Sequence, residues 1–170
     1  MRISLLATFM TLGLFTCIFS HKPQGDLTYC SYARRGAAGL GSEYCELIAD
    51  TDSIPKVVVV LNEGNRFGDP VIKREYPVEK SVVDSLAQLL ANHKVYTLNG
   101  YHVEEPITGG HSYRIHMEYT SGDHVTADWY GNHISDKAIA AFNLIERFFT
   151  PWYSLAASEG QEVQEAENVQ

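Results

Sequence analysis

The segment from Tyr113 to Tyr130 constrains the fold most, because apolar and polar residues alternate along it on both sides of a glycine turn. A period of two is typical of a strand with one buried face. A three-residue loop with Gly122 in the left-handed position closes a hairpin and pairs Met117 with Val125. In that register the apolar residues share one face, whereas a two-residue loop would mix the faces. The sequence therefore predicts an antiparallel hairpin here.

Other runs of β-branched or alternating residues predict further strands. Lys56–Asn62 is rich in valine and is expected to be buried on both faces. A turn is predicted at 63–70 from its Gly, Asn, Asp and Pro content. The remaining predicted strands are Val71–Tyr76, an edge strand at Lys94–Leu98, and a hairpin formed by the two segments around Cys30 and Cys45.

Two helices are predicted from apolar stripes at helical spacing. Pro77 opens the first helix, which runs from about residue 78 to residue 92. The second begins after Ile134 with Ser135 as its N-cap, and Pro151 ends it. We expect an α+β fold, with an antiparallel sheet of about five to six strands and two helices on one face.

Residues 1–20 have the pattern of a secretory signal peptide, since Arg2 precedes a mostly apolar run that is too short to span a membrane. Cleavage after Ser20 would release a free protein. Alternatively, Leu14–Cys17 serves as a lipoprotein box and Cys17 becomes the lipidated first residue. We expect a protein that is secreted or held in the cell envelope, in the periplasm or as an outer-membrane lipoprotein.

The rest of the chain is expected to contain one folded unit. Residues 21–156 hold all the predicted strands and helices and are interpreted as a single α+β domain. Residues 157–170 are acidic and contain few apolar side chains, so we predict a disordered tail there.

Charge argues against nucleic acid as a partner. The chain has 13 Lys and Arg against 21 Asp and Glu, a formal net charge of −8, and phosphates would be repelled by it. The two basic doublets, Arg34–Arg35 and Lys73–Arg74, are short. The sequence also lacks a nucleophile elbow and a Gly-rich phosphate loop, and no cofactor is predicted.

Cys30 and Cys45 remain as a pair once Cys17 is cleaved off or lipidated. In exported domains such pairs are often bridged. A hairpin around the Gly-rich segment 35–41 would place Cys30 opposite Cys45, within reach of a disulfide. We therefore predict a Cys30–Cys45 disulfide, with two buried free thiols as the alternative.

Histidines in the 113–130 hairpin raise the question of a metal site. His116, Glu118 and His124 share the polar face in the predicted register, and two imidazoles with a carboxylate could hold a catalytic zinc. The competing interpretation is a solvated face on which Arg114 pairs with Asp128 and Glu118 pairs with His124. We favour the solvated face, because it also accounts for the arginine and the aspartate.

The segment between the edge strand and the hairpin is interpreted as a binding loop, since aromatic and polar side chains on loops often carry recognition. Its adjacent carboxylates would point apart in an extended chain, which argues against acid–base catalysis. The candidate binding residues are Tyr101, His102, Glu104, Glu105 and His111.

Two stretches resemble small exported bacterial domains and lipoproteins of uncharacterised function: Tyr113–Gly122, with its aromatic-led strand and Gly turn, and Trp129–Asn132, which precedes the last helix. The resemblance covers about residues 55–150. It implies a bacterial envelope location and transfers no catalytic residue.

These observations together predict a non-enzymatic exported or envelope domain that binds a protein or glycan partner. Two alternatives remain open. One is a small metal-dependent hydrolase that uses His116, Glu118 and His124. The other is an exported enzyme inhibitor that inserts the Tyr101–His111 loop into the cleft of its target.

Overall fold

The structure is a computed structural model that describes residues 21–36, 42–62, 71–105 and 110–167. The predicted signal at 1–20, with Cys17, lies outside the described residues, and so does the predicted turn at 63–70. The described residues form seven strands, two α-helices and one 3-10 helix. In chain order these are β1 (Leu27–Arg35), β2 (Ser42–Ile48), β3 (Lys56–Asn62), β4 (Val71–Pro77), α1 (Lys80–Asn92), the 3-10 helix (Val95–Leu98), β5 (Tyr101–Glu104), β6 (His111–Tyr119), β7 (His124–Gly131) and α2 (Asp136–Glu167).

The fold is α+β, as predicted, but the sheet differs from the expected one in two respects. It has seven strands in the order β4-β3-β2-β1-β6-β7-β5 rather than five to six. It is also mixed rather than purely antiparallel, because β5 runs parallel to β7. The chain comes back from α1 to the free edge of β7, where the Gly100 N–H donates to the Thr126 carbonyl at 2.9 Å. Positive φ angles at Lys94 (51°) and Gly100 (77°) allow the two turns of this connection.

The edge strand predicted at Lys94–Leu98 is wrong, because this stretch contains the 3-10 helix. Val95 and Leu98 are three residues apart and both are buried, at 2% and 4% exposure. That spacing matches the three residues per turn of a 3-10 helix, whereas on a strand the two side chains would face opposite ways. Thr97 caps the turn by donating through its hydroxyl to the Lys94 carbonyl at 2.7 Å.

The predicted 113–130 hairpin is confirmed in its register. Met117 lies opposite Val125 and Glu118 lies opposite His124. Tyr119 donates its N–H to the Asp123 carbonyl at 3.0 Å, which closes the loop, and Gly122 has a φ of 86°. The residues whose side chains this register buries are Ile115, Met117, Val125, Ala127 and Trp129.

The predicted pairing of Cys30 with Cys45 is wrong by two residues. Cys30 lies opposite Leu47, and Cys45 lies opposite Tyr32. The cysteines are therefore diagonal neighbours, whose Cβ atoms are typically about 7 Å apart, and a disulfide needs about 3.8 Å. Both thiols are free and buried, so this geometry does not provide the predicted disulfide. A slip of two residues keeps every side chain on its own face, so alternation along the strands cannot detect it.

Both helices cover the same face of the sheet, as predicted. α1 buries Val83, Leu86 and Leu90 against it, and α2 stacks Phe142 on Tyr113 with ring centroids 5.1 Å apart. Among the described helices, none is both long enough and apolar enough to cross a membrane. The largest fully buried side chains of this core include Tyr32, Leu47, Leu86, Ile115, Met117, Phe142, Ile145 and Phe149.

The start of α2 is as predicted, but its end is not. Ser135 accepts the Ala138 N–H through its hydroxyl at 3.2 Å, as an N-cap does. Pro151 was expected to end the helix, yet α2 continues to Glu167, so the predicted disordered tail is helical from 157 to 167. A proline inside a helix costs about 3 kcal/mol.

Packing beyond Pro151 offsets that cost. Ala156 is fully buried, and Glu159 accepts a hydrogen bond from the Tyr76 hydroxyl at 3.1 Å. Arg74 forms an ion pair with the same carboxylate at 3.2 Å. The part of α2 after Pro151 is thus bonded to edge strand β4. These tertiary contacts stabilise the helix beyond the proline, where the local sequence alone would end it.

Candidate binding site on the open sheet face

The face of the sheet opposite the helices is the candidate site, because no described helix or strand covers it; we call it the open face. Alternation along each strand assigns its side chains. A bulge between Leu27 and Tyr29 buries the first in the core and places the second on the open face. The open-face residues of the central strands are Tyr29, Ser31, Ala33 and Arg35 on β1, Ser42, Tyr44, Glu46 and Ile48 on β2, Ser112, Arg114, His116 and Glu118 on β6, and His124, Thr126, Asp128 and Tyr130 on β7.

A cluster of two tyrosines and one glutamate occupies the middle of this face. Tyr29 and Tyr44 both donate to Glu46 Oε2, at 2.7 and 2.6 Å, and their hydroxyl oxygens lie 2.8 Å apart. Burial, first of all, raises the pKa of both phenols, and the contact with Glu46 raises it further. The hydroxyls therefore stay protonated, and the aromatic rings are held in fixed positions.

His116 extends this cluster toward β7. Its ring lies against that of Tyr29, with centroids 5.8 Å apart. The imidazole donates through Nε2 to Glu118 at 2.8 Å, and its Nδ1 lies 3.0 Å from the Thr126 hydroxyl. Both ring nitrogens are thus engaged, which fixes the orientation of the ring.

The carboxylates on this face bond to other partners than the cross-strand pairs of the solvated-face interpretation. Arg114 and Asp128 are opposite each other, but Asp128 accepts a 2.6 Å hydrogen bond from His102 Nδ1 on β5. Glu118 likewise bonds to His116 on its own strand rather than to His124. The arrival of β5 beside β7 is what supplies Asp128 with its partner.

A concave pocket of about 410 Å³ lies at the end of the open face where β1, β2, β6 and β7 meet. Its floor contains the small side chain of Ala33, and larger side chains form its walls; we call it the arginine pocket. The open-face side chains that line it are Ala33, Arg35, Ser42, Tyr44, Ser112, Arg114, Asp128 and Tyr130.

The five candidate residues of the predicted loop do not form one surface. Tyr101–Glu104 is strand β5 rather than a loop, so its side chains alternate between faces. His102 and Glu104 lie on the open face, whereas Tyr101 packs against the core.

The other two candidates also lie apart. Glu105 turns toward the β7–α2 connection, where it accepts the Asn132 N–H at 2.7 Å and lies 3.1 Å from His133 Nδ1. The Asn132 N–H, first of all, lowers the pKa of this carboxyl, and His133 lowers it further. His111 begins β6 on the core side, and its buried Nδ1 has no hydrogen-bond partner in the described structure.

The geometry does not favour the alternative of a metal-dependent hydrolase that uses His116, Glu118 and His124. His116 and Glu118 are in contact, but His116 uses both of its nitrogens, and Glu118 is bonded to it. Within the part of the chain that the structure describes, no group of three or more His, Cys, Asp or Glu side chains could hold a metal ion.

No protein-family model matches this sequence, and no curated protein is significantly similar to it.

A second concavity, a cleft of about 510 Å³, lies on the helix side between the segment after residue 21, the β2–β3 connection and α1. Its floor is apolar, with Leu27, Val83 and Leu90, and its rim carries charges of both signs, including Lys80 and Asp84. The size suits a small molecule. The mixed rim selects no charge class of ligand.

Sequence reasoning missed the tyrosine cluster and Arg35. The period of two in β1 carried the signal, since it puts Tyr29, Ser31, Ala33 and Arg35 on one face and Cys30 and Tyr32 on the other. Choosing the exposed face required knowing where the helices pack.

Proposed function

We propose that this chain is an exported, non-enzymatic domain that binds a protein partner across its open face. One observation carries the proposal: an ordered set of tyrosine, histidine and arginine side chains lies on a sheet face that no other described element covers. Tyrosine and arginine are enriched in protein interfaces and in their hot spots. A rigid, hydrogen-bonded cluster such as Tyr29–Tyr44–Glu46 also loses little side-chain entropy on binding.

The dimensions of the open face favour a protein over a glycan. Seven strands spaced about 4.8 Å apart give a width of about 29 Å, and all of them except the four-residue β5 have seven to nine residues and are about 25 Å long. The resulting area of roughly 700 Å² is close to the 800 Å² or so that each partner contributes to a standard protein interface.

Site-specific photo-crosslinking would test this proposal. A benzophenone amino acid is placed at His124 or Thr126 on the open face and, as matched controls, at the exposed Gln88 on α1 or Arg147 on α2. We expect both open-face positions to give the same adduct of discrete mass, identified by mass spectrometry, and the helix positions not to give it.

Adduct formation should then be reproduced with the identified partner in purified form. Equal crosslinking from the open-face positions and from the helix positions would contradict the proposal. So would the absence of protein adducts together with binding of the protein to immobilised glycans.

The non-enzymatic part of the proposal is tested by metal analysis of the purified protein. We expect no stoichiometric metal. A stoichiometric zinc that is lost in the His116→Ala/His124→Ala double variant would support the hydrolase alternative instead.

The export part is tested at the N-terminus. The intact mass of the protein isolated from its native cells should correspond to a chain that begins at His21, or to one that begins at a lipidated Cys17. Retention of residues 1–20 in the isolated protein would contradict export by a cleaved signal.

A further inference from the structure

The arginine pocket differs from the rest of the sheet in its charge pairing. Elsewhere in the described strands, each cationic side chain lies within ion-pair distance of a carboxylate. Those ion pairs join Arg34 to Glu146 at 2.8 Å, Lys56 to Glu75 at 2.8 Å, Lys73 to Glu75 at 3.3 Å and Arg74 to Glu159 at 3.2 Å. Arg35 and Arg114 form no such pair with any residue that the structure describes, and both line this one pocket.

Local structure explains why these two arginines are left unpaired. Arg34 and Arg35 are consecutive on β1 and therefore face opposite sides of the sheet. Arg34 faces the helices, where it pairs with Glu146 and lies 3.9 Å from Glu43. Arg114 faces Asp128, but that carboxylate is bonded to His102 at 2.6 Å.

The strand register brings the two guanidinium groups to the same pocket. Arg35 lies opposite Ser112, and Ala33 lies opposite Arg114, so the arginines are diagonal neighbours on adjacent strands. Their Cβ atoms are expected to be about 7 Å apart. Two flexible arginine side chains at that separation can converge on one anionic group above the small side chain of Ala33.

The surroundings indicate which anion fits. Guanidinium groups bind carboxylates through paired, charge-assisted hydrogen bonds. Asp128 also lines the pocket, and its negative charge would oppose a doubly charged phosphate more than a singly charged carboxylate. The Ser112 hydroxyl, on the pocket floor, can add a hydrogen bond.

We infer that the arginine pocket binds a side-chain carboxylate of an acidic segment of the protein partner, with Arg35 and Arg114 as the two contacts. This inference rests on the proposed function, since it identifies the kind of partner that the open face recognises. The chain has 21 acidic residues against 13 basic ones, so its net charge is negative. The two arginines make the pocket a local positive site, to which an acidic partner would be attracted.

The test is an NMR titration of the purified protein with a blocked hexaglutamate peptide. A blocked hexaglutamine peptide of the same length is the uncharged control. We expect hexaglutamate to shift the backbone signals of Ala33 and Ser112 and the guanidinium signals of Arg35 and Arg114. The apparent affinity should fall with added salt, and hexaglutamine should leave these signals unchanged.

Substitution of the two arginines tests whether they are responsible for hexaglutamate binding. Arg35→Gln/Arg114→Gln should weaken hexaglutamate binding at least tenfold, and Arg147→Gln, which removes an exposed arginine from α2, should leave it unchanged. The circular dichroism spectrum and melting temperature of the double variant should match those of the parent. Unchanged hexaglutamate affinity in the double variant would overturn the inference.

Titrations with other anions distinguish a protein carboxylate from a glycan carboxylate or a phosphate as the ligand of the pocket. An oligogalacturonate that binds the pocket while hexaglutamate does not would identify an acidic glycan and overturn the inference. Tighter binding of inorganic phosphate than of hexaglutamate would also overturn it.

The crosslinking experiment separates the two proposals. If Arg35→Gln/Arg114→Gln keeps the open-face adduct at full yield, the proposed function stands and the pocket assignment fails. If hexaglutamate binds at the pocket but open-face positions give no protein adduct, the proposed function fails while the anion site remains. If the double variant loses both hexaglutamate binding and the open-face adduct, the result supports the proposed function and the pocket assignment.

Discussion

The two buried cysteines show how position sets side-chain chemistry. Burial raises the pKa of the Cys30 and Cys45 thiols to about 12, and both are fully buried in the core. A thiol reacts as its thiolate, which is then scarce at neutral pH. Each cysteine therefore serves here as a small apolar side chain, with no role in the candidate site.

We predict that Cys30 and Cys45 resist alkylation in the native protein. Iodoacetamide at pH 8 should leave both unmodified, because they are buried and protonated, and should label both after denaturation. Intact-mass spectrometry measures the number of labels. A denatured, unreduced protein that takes up no label at these positions would instead reveal a Cys30–Cys45 disulfide and contradict the free thiols of this structure.

Glu105 is a residue whose role comes from its backbone contact rather than from binding. It accepts the Asn132 N–H and lies close to Gly131, where an added Cβ would come within 2.5 Å of its Oε2. The glycine is thus needed for the carboxylate to reach the β7–α2 connection. Glu105 consequently holds the β7–α2 connection in place.

The lowered pKa of Glu105 predicts a pH dependence of stability. Because the folded-state pKa lies below the unfolded value of about 4.3, ionised Glu105 stabilises the fold above that pH. The contribution is lost as the pH falls through the folded pKa. Denaturation measured from pH 7 to pH 2 should show a shallower acid loss of stability for Glu105→Gln than for the parent. Glu104→Gln, at the adjacent exposed position, is the control, and an equal effect of both variants would contradict the assignment.

At the scale of elements, α2 shows that tertiary packing can carry a helix through a proline. After Pro151, Ala156 is buried in the core, and Glu159 bonds to Tyr76 and Arg74 of β4. Local rules would end the helix at Pro151. The apolar and ion-pair contacts of the distal part exist only once β4 is in place.

We predict that Ala156→Asp destabilises the protein by about 3 kcal/mol, because it buries an unpaired charge beside the sheet. Ser154→Asp places the same charge two residues earlier on the exposed side of α2 and should change the unfolding free energy by about 0.5 kcal/mol or less. Urea denaturation measures both variants. Equal, small effects would show that α2 does not pack into the core beyond Pro151.

At the scale of the whole molecule, the helices and strands that the structure describes cover the sheet on one side only. The helices bury one face into a continuous core, and the other face keeps its polar and aromatic side chains available. Position in the sheet also sets local stability. β1 and β6 are central and bonded on both sides, whereas β5 is a four-residue strand at one edge.

We predict a gradient of hydrogen exchange across the sheet. Amides of β1 and β6 should exchange slowest, because they open only with the whole core, and those of β5 should exchange fastest among the strands. Exchange followed by mass spectrometry on peptides from each strand measures this. Protection of β5 equal to that of β1 would contradict the edge position of β5.

Sequence patterns alone determined the parts of this fold that depend on local periodicity and turn chemistry. The register of the β6–β7 hairpin follows from alternation and from Gly122, and Ser135 marks the start of α2. The α+β class follows from the same patterns. In each case the deciding interactions join residues that are close in the chain.

Only the tertiary structure decided the features that depend on distant partners. The β1–β2 register is ambiguous by two residues because the side-chain period is two. The parallel strand β5 and the passage of α2 through Pro151 each depend on an element far along the chain. So does the lack of an ion-pair partner for Arg114 among the residues that the structure describes. The candidate site follows from these choices, since β5 brings His102 to Asp128 and so leaves Arg114 beside Arg35 in one pocket.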